Sequence, residues 1–141
     1  MVNTRRSDCP ISSALDILGD RWSLLVIRDL LFKAKVRYGE FLASEEHVST
    51  NILADRLQTL QAHHLIDKRV DPDNRSRFVY SLTRKGRDLA PMLVEMILWS
   101  AEHDPMTAAS EDFVSEARRD KAALLRRLRE AADDGPTASA A

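Results

Sequence analysis

The sequence predicts a mainly α-helical protein with one small β-hairpin in a single domain. Apolar residues recur at helical spacing along most of the chain, which favours amphipathic helices. Two short β-prone runs, over 65–70 and 77–82, flank a turn region that contains Pro, Asp and Asn, and this pattern is typical of a hairpin. Because 44% of the 141 residues are hydrophobic, the chain can form one modest core.

Two helices are predicted before residue 33. The first begins at Pro10, whose missing N–H costs nothing in a first turn, and ends at Gly19. Asp20 is placed to cap the second helix, over 22–32, which contains only three polar residues. A helix that is apolar on most sides is usually buried, so we expect this one at the centre of the core.

A short helix over 37–44 precedes a helix that begins after Ser49, a suitable N-cap. Leu53, Leu57 and Leu60 form one apolar stripe on this second helix, and the opposite face is polar. The polar residues are Thr50, Asn51, Asp55 and Gln58. Short polar side chains can pair with base edges in the major groove of DNA, although an ordinary solvated face is the alternative interpretation.

Two further helices are predicted after the hairpin. Thr83 is expected to cap a long helix that runs to about Asp104, with Gly86 as a mild weakness in its first turn. The last helix is expected over about 111–132. We therefore divide the chain into a flexible arm over 1–8, a main domain over 9–104, an additional C-terminal helix within 105–132 and a disordered tail over 133–141.

This order of elements is that of a winged helix-turn-helix domain, in which the third and fourth helices form the DNA-binding motif and the hairpin is the wing. The segment 33–88 holds eleven Lys and Arg against eight Asp and Glu, whereas the whole chain has a formal net charge of −1. Any phosphate-binding surface must therefore be local. The cations that bracket the recognition helix are Lys33, Lys35, Arg37, Arg75 and Arg77. Each of them taken singly is equally well explained as a solvated charge.

Four spaced motifs occur in order along the chain. They are Cys9-Pro10, Gly19-Asp-Arg-Trp22, Arg37-Tyr-Gly-Glu-Phe41 and Tyr80-Ser-Leu-Thr-Arg-Lys-Gly86. On these motifs, the chain from residue 9 to about 104 resembles the HxlR-type bacterial transcriptional regulators, which are relatives of the MarR group. The resemblance implies a homodimer joined through the terminal helices that binds a roughly palindromic promoter site, usually as a repressor and sometimes as an activator.

The resemblance also implies roles for individual residues. It places Thr50, Asn51 and Asp55 at base-facing positions, Arg56 at the family's usual arginine, and Arg75 and Arg77 in the wing. Helical spacing sets Arg56 beside the apolar stripe, so phosphate contact or structural pairing suits it better than base readout. Asn51 or Gln58 could pair with adenine, and Asp55 would need a cytosine amino group.

The chain departs from the family pattern in three places. His64 stands where a glycine commonly ends the recognition helix, and histidine tolerates a positive φ less well. The wing tip has Asn74-Arg75-Ser76 instead of a Pro pair, which predicts a more mobile and more cationic wing. The helix after Pro105 is longer than the family core requires. We expect it to enlarge the dimer interface, and coverage of the subunit's own core is the alternative.

Cys9 is the single cysteine, which excludes an intrachain disulfide. As the N-cap of the first helix and near Arg5 and Arg6, its thiol would have a lowered pKa and would suit an oxidant sensor. Some regulators that resemble this chain use the matching cysteine in this way. The alternative is a cysteine that packs near the dimer interface, because cysteine is often buried.

No pattern typical of an enzyme, a metal site or a cofactor site is present in the sequence. A nucleophile beside a base, a catalytic carboxylate pair, a Gly-rich phosphate loop and metal-ligand spacing of the four histidines are all missing. We therefore expect no catalytic residue, metal or cofactor. The expected partners are double-stranded DNA, a second copy of the chain and an unidentified small effector between the long helices and the motif.

The N-terminus lacks a secretory signal, and no apolar run is long enough to cross a bilayer. We accordingly expect a cytoplasmic protein that does not enter membranes. The competing hypothesis for its function is a winged-helix module that binds another protein and has no affinity for DNA.

Overall fold

The computed structural model describes residues 5–133 and has the predicted architecture, mainly helical with one two-stranded hairpin. Part of the predicted arm, over 1–4, and of the predicted disordered tail, over 134–141, lies outside the described residues. In chain order the elements are α1 (Pro10–Leu18), α2 (Ser23–Phe32), α3 (Tyr38–Leu42), α4 (Thr50–Ala62), β1 (Ile66–Val70), β2 (Phe78–Leu82), α5 (Arg84–Arg87), α6 (Ala90–His103), α7 (Glu111–Arg119) and α8 (Lys121–Asp133).

Helix α2 lies at the centre of the core, as its composition predicts. Asp20 caps it by accepting hydrogen bonds from the backbone N–H groups of Trp22 and Ser23, both at 2.9 Å. Buried apolar residues from five elements pack together here: Val26, Ile27, Leu30, Leu31, Phe41, Leu53, Leu57, Leu60, Ile66, Tyr80 and Leu82. The apolar stripe of α4 is thus fully used in the core, and the orientation of α4 is fixed by α2.

The hairpin is antiparallel and starts where α4 ends. Its register pairs Ile66 with Leu82 and Val70 with Phe78. The backbone N–H of Tyr80 donates to the carbonyl of Val36 at 2.8 Å, which ties β2 to the residues before α3. The wing is therefore attached to both ends of the helix-turn-helix motif.

The prediction of one long helix from Thr83 to Asp104 is wrong, because the chain forms two helices, α5 and α6, over this range. Pro91 lies in the first turn of α6. Proline has no N–H to donate to the residue four positions earlier, and its ring would clash with that carbonyl in a continuous helix. The break at Asp88 and Leu89 follows from this restriction.

Gly86 is not the mild weakness that its position in a helix suggested. It is buried, and a Cβ atom at this position would lie 2.2 Å from the carbonyl oxygen of Leu65. The α5 turn approaches the end of α4 so closely that only glycine fits. Helix propensity alone does not show this contact, because it depends on a residue 21 positions away.

The single helix predicted over 111–132 is also wrong, because the chain breaks at Asp120 into α7 and α8. Asp120 departs from the helical conformation, with φ −151° and ψ 80°, and its Oδ1 accepts from the backbone N–H of Ala123 at 3.1 Å. After this cap, α8 turns back over α2 and β2, with Leu124 buried and Leu128 packed against the core. The packed face of α8 thus covers the subunit's own core. This was the alternative to our expectation that the C-terminal helix enlarges the dimer interface.

Helix α4 ends in a Schellman motif with histidine at the position that normally carries glycine. His64 has a φ of +61°, its N–H donates to the Gln61 carbonyl at 3.0 Å, and the N–H of Leu65 donates to the Leu60 carbonyl at 2.9 Å. The His64 carbonyl also accepts from Thr83 Oγ1 at 2.6 Å. Tertiary contacts therefore hold histidine in a conformation that it rarely adopts.

We predict that His64→Gly raises the free energy of unfolding by about 0.5–1 kcal/mol. Histidine is strained at a positive φ, and the relief of this strain exceeds the conformational entropy that glycine adds to the unfolded chain. Urea unfolding followed by circular dichroism measures the change. His63→Gly is the matched control, since His63 has a φ of −89° and should lose stability on the same substitution. A lower urea midpoint for His64→Gly would contradict the prediction.

Candidate nucleic-acid interface

Helix α4 presents the predicted polar face to solvent. Thr50, Asn51, Asp55 and Gln58 are all exposed, and the leucines on the opposite side are buried. Ser49 caps the helix by accepting from the backbone N–H of Ile52 at 3.3 Å. The four polar side chains can therefore all reach a ligand that approaches this face.

Arg56 lies beside this face and is held by two carboxylates. Its Nε donates to Asp55 Oδ2 at 3.0 Å, and its Nη1 lies 3.5 Å from Asp20 Oδ1. The hydrogen bond with Asp55 is the main cause that raises the pKa of Arg56. Arg56 thus ties the recognition helix to the start of α2, which agrees with structural pairing, one of its two predicted roles.

Arg37 joins the start of α3 to the base of the wing. Its Nε donates to Asp71 Oδ2 at 2.8 Å, and Asp71 is completely buried. Asp71 also accepts from the backbone N–H of Asp73 at 2.9 Å. The Arg37 hydrogen bond holds the pKa of Asp71 below its ordinary value. Asp71 was not among the predicted site residues, although an Asp that precedes a Pro-Asp turn is a recognisable candidate for such bonds.

The other predicted cations differ in whether their side chains are bound by other groups of the protein. Lys35 is half-buried and donates to Ser44 Oγ at 3.0 Å. Lys33, Arg75 and Arg77 are exposed. Within residues 5–133, Lys33 and Arg75 make no ion pair, and Arg77 lies only loosely near Asp71, at 3.9 Å. These three cations are available for phosphate groups.

A network on α2 holds the turn between α3 and α4. Arg28 donates to both carboxylate oxygens of Glu46, at 2.7 and 2.9 Å, and to Asp29 Oδ1 at 3.0 and 2.9 Å. Ser44 Oγ donates to the buried Asp29 Oδ2 at 2.8 Å. From the sequence, Arg28 and Asp29 were interpreted as polar breaks in an apolar helix, and no partner was predicted for them. Paired charges inside such a helix are the signal that would have indicated this network.

A polar groove of about 340 Å³ lies between α4 and the wing. Gln58, Gln61 and Lys68 contribute its polar side chains, with Tyr38 and Tyr80 nearby. The Lys68 ammonium also lies 4.1 Å from the centre of the Phe78 ring. Gln61 and Lys68 were missed by sequence analysis, although Gln61 follows Gln58 by three residues on the same helix.

Cys9 is exposed at the N-terminus of α1. The two arginines expected to act on its thiol are engaged by carboxylates, because Arg5 lies 3.4 Å from Asp8 and Arg6 lies 2.7 Å from Asp16. In the part of the chain that the structure describes, no three His, Cys, Asp or Glu side chains lie close enough to hold a metal ion. The helices of residues 5–133 are also too short or too polar to cross a membrane.

The helix-turn-helix formed by α3 and α4, packed on α2 and followed by a hairpin, defines a winged helix-turn-helix domain. This is a class of DNA-binding transcriptional regulators. The model of the HxlR-like helix-turn-helix family matches residues 17–107, so the chain belongs to this family. Helices α7 and α8 lie beyond the matched segment.

Individual relatives agree with this assignment. The chain is 41% identical over 88 residues to sll1512 of Synechocystis, an HTH-type transcriptional regulator described as uncharacterized, and this match covers 62% of the chain and 64% of that protein. The reduced form of the regulator YodB from Bacillus subtilis has a TM-score of 0.57 at 30% identity, over 72% of this chain and all of that one. The oxidized redox regulator HypR has a TM-score of 0.60 at 26% identity, over 67% and 97%.

The Arg28–Glu46 pair makes stability depend on pH. The hydrogen bonds from Arg28 lower the pKa of Glu46 from 4.5 to about 2, so the stabilisation is complete above about pH 4.5 and is lost as the pH falls through about 2. We predict that Glu46→Gln lowers the urea midpoint near neutral pH, and that the difference from the parent protein disappears as the pH approaches 2.

The matched control is Glu45→Gln, because Glu45 is exposed and makes no ion pair with any residue of the range 5–133. This variant should keep the parent midpoint near neutral pH. A midpoint difference for Glu46→Gln that is constant from neutral pH down to about 2 would contradict the assigned ion pair.

Proposed function

We propose that the chain is a homodimeric repressor that binds a specific palindromic promoter site in double-stranded DNA. The exposed polar face of α4 is the observation that carries this proposal. Asn51 and Gln58 are amides that can pair bidentately with adenine, Thr50 can pair with several bases, and Asp55 accepts from cytosine. In this arrangement α4 enters the major groove, and the wing follows the adjacent backbone.

The six predicted phosphate-contacting residues divide into two groups in this proposal. Lys33, Arg75 and Arg77 are exposed and contact phosphate groups on either side of α4. The other three are Lys35, Arg37 and Arg56, which are engaged with protein groups and position the motif. The binding energy from phosphate contacts thus comes from a few exposed side chains, and binding should weaken steeply as salt rises.

We predict that Asn51→Ala relaxes the preference for one base pair by about 1–3 kcal/mol, whereas Arg75→Ala weakens binding to all duplexes alike and reduces the salt slope by about one. Selection from random duplexes, followed by fluorescence anisotropy at several salt concentrations, measures both effects. Arg126→Ala is the control, because Arg126 is exposed on α8. If the parent protein binds no duplex above background even at low salt, the chain is instead a protein-binding winged-helix module.

Two exposed apolar surfaces support the homodimer. Met92, Met96 and Trp99 share one face of α6, and Trp99 is 69% exposed. Ile11 and Leu15 form a similar exposed pair on α1, and Ile11 is 72% exposed. Contiguous exposed apolar surface commonly marks a protein interface. In the proposed dimer these helices pair, and the two α4 helices reach successive major grooves, about 34–36 Å apart.

We predict that Met96→Glu converts the dimer to a monomer, because it places a charge in a desolvated apolar interface. Sedimentation velocity measures the mass. Glu102→Gln on the same helix is the control and should remain dimeric, since Glu102 is exposed and lies outside the apolar face. A parent protein that sediments as a monomer at micromolar concentration would refute the homodimer.

We further propose that Cys9 senses oxidants in this dimer. It lies two residues before Ile11, and it is exposed, so two copies of the thiol can meet across paired α1 helices. Two thiols then form one disulfide, and hydrogen peroxide accepts the two electrons and two protons to become two molecules of water. HypR, to which the chain is similar, is described as a redox regulator.

We predict that peroxide changes the DNA affinity of the parent protein and produces a covalent dimer on non-reducing gels, and that dithiothreitol reverses both effects. Cys9→Ser should show neither effect, since it has no thiol to oxidise. An equal response to peroxide in Cys9→Ser would refute the redox role of Cys9.

A further inference from the structure

A cavity of about 430 Å³ opens where the C-terminal pair of helices meets the core. Its walls come from α2, α6, the segment between α6 and α7, and the start of α7. The residues that matter for its chemistry are Arg28, Phe32, Lys33, Ile97, Ala109 and Phe113. Because the family match ends at residue 107, two of these six residues, Ala109 and Phe113, lie outside the matched segment.

Most of the cavity wall is apolar and aromatic. The rings of Phe32 and Phe113 meet edge to face, with their centres 6.0 Å apart and their planes at 74°. Ile97 and Ala109 add aliphatic surface. The volume is in the range of small-molecule sites and suits a bicyclic aromatic ring, whose burial would provide the main driving force for binding.

Two cationic residues, Arg28 and Lys33, line this apolar cavity. Among residues 5–133, no acidic residue lines it. An arginine can hold a carboxylate by two parallel hydrogen bonds. The combination of an apolar wall and two cationic lining residues is complementary to an aromatic ring that carries one carboxylate.

Arg28 connects the cavity to the helix-turn-helix motif. Its guanidinium binds Glu46, which lies in the turn just before α4, at 2.7 and 2.9 Å. The Glu46 side chain is 37% exposed, so its carboxylate can return to water at small cost if Arg28 takes another partner. If a ligand carboxylate replaces the Glu46 carboxylate on Arg28, the electrostatic energy changes little. Burial of the ligand's aromatic ring then favours the ligand over Glu46.

We propose that this cavity binds a small aromatic carboxylic acid, whose carboxylate displaces Glu46 from Arg28 and thereby frees the turn that orients the recognition helix. Occupancy of the cavity weakens DNA binding, and this last step rests on the proposed function. The chain would in this way connect the concentration of an organic acid to the occupancy of a promoter site. Binding is noncovalent, so the ligand leaves the cavity chemically unchanged.

Direct binding to the full chain tests the cavity without DNA. The probe is 2-naphthoate, measured by isothermal titration calorimetry, with neutral 2-naphthamide as its matched analogue. We expect one site per chain and affinity about tenfold lower for the amide, which cannot replace a carboxylate on Arg28. Ala109→Phe fills the cavity and should abolish binding, whereas Ala122→Phe, the same change at an exposed site on α8, should bind as the parent does. Equal binding to Ala109→Phe and Ala122→Phe would overturn the assignment.

Glu46→Gln tests the exchange. Removal of the competing carboxylate should make 2-naphthoate bind severalfold more tightly. A variant that lost structure would instead bind 2-naphthoate more weakly. An unchanged or weaker affinity for Glu46→Gln would overturn the exchange at Arg28. With DNA present, 2-naphthoate should lower the duplex affinity of the parent protein and leave that of Ala109→Phe unchanged. A parent protein that binds 2-naphthoate in the cavity but binds no duplex would refute the proposed function and leave the cavity assignment intact.

Discussion

Helix α2 must keep one buried carboxylate, that of Asp29, satisfied inside the core of the protein, and the arrangement of the DNA-binding motif follows from this constraint. An isolated buried carboxylate is costly, so Asp29 needs donors in fixed places. Arg28 and Ser44 supply them, and Arg28 reaches Glu46 in the same network. The turn between α3 and α4 is therefore held in place as long as Ser44 and Glu46 keep these partners.

The wing is attached by the same physical principle at the other end of the motif. Asp71 is completely buried and is satisfied by Arg37, a residue 34 positions earlier in the chain. Three of the six predicted phosphate-contacting residues thus bind protein groups, since Lys35 and Arg56 are engaged as well. The charge offered to a phosphate backbone is correspondingly small, which agrees with the nearly neutral chain as a whole.

Local signals predicted most of the elements. The apolar stripe of α4, its Ser49 cap and the turn residues of the hairpin act over a few positions, so the sequence alone indicates them. The breaks at Leu89 and Asp120 were missed because the apolar periodicity continues across both of them, although a proline as far inside the predicted helix as Pro91 is itself a sign of a break. Polar faces were likewise visible in the sequence, whereas the ion pairs of Arg28 and Arg37 depend on tertiary packing between distant segments.

The C-terminal helices occupy one side of α6 and leave the other side exposed. Val94 is completely buried with Ala117 and Leu124, whereas Met96 and Trp99 point away from this contact. Residues two positions apart on a helix differ by about 200° in direction, so α7 and α8 do not compete with a partner for the apolar face. A segment beyond the family match can therefore complete a cavity next to Arg28 while the surface proposed for dimerisation stays free.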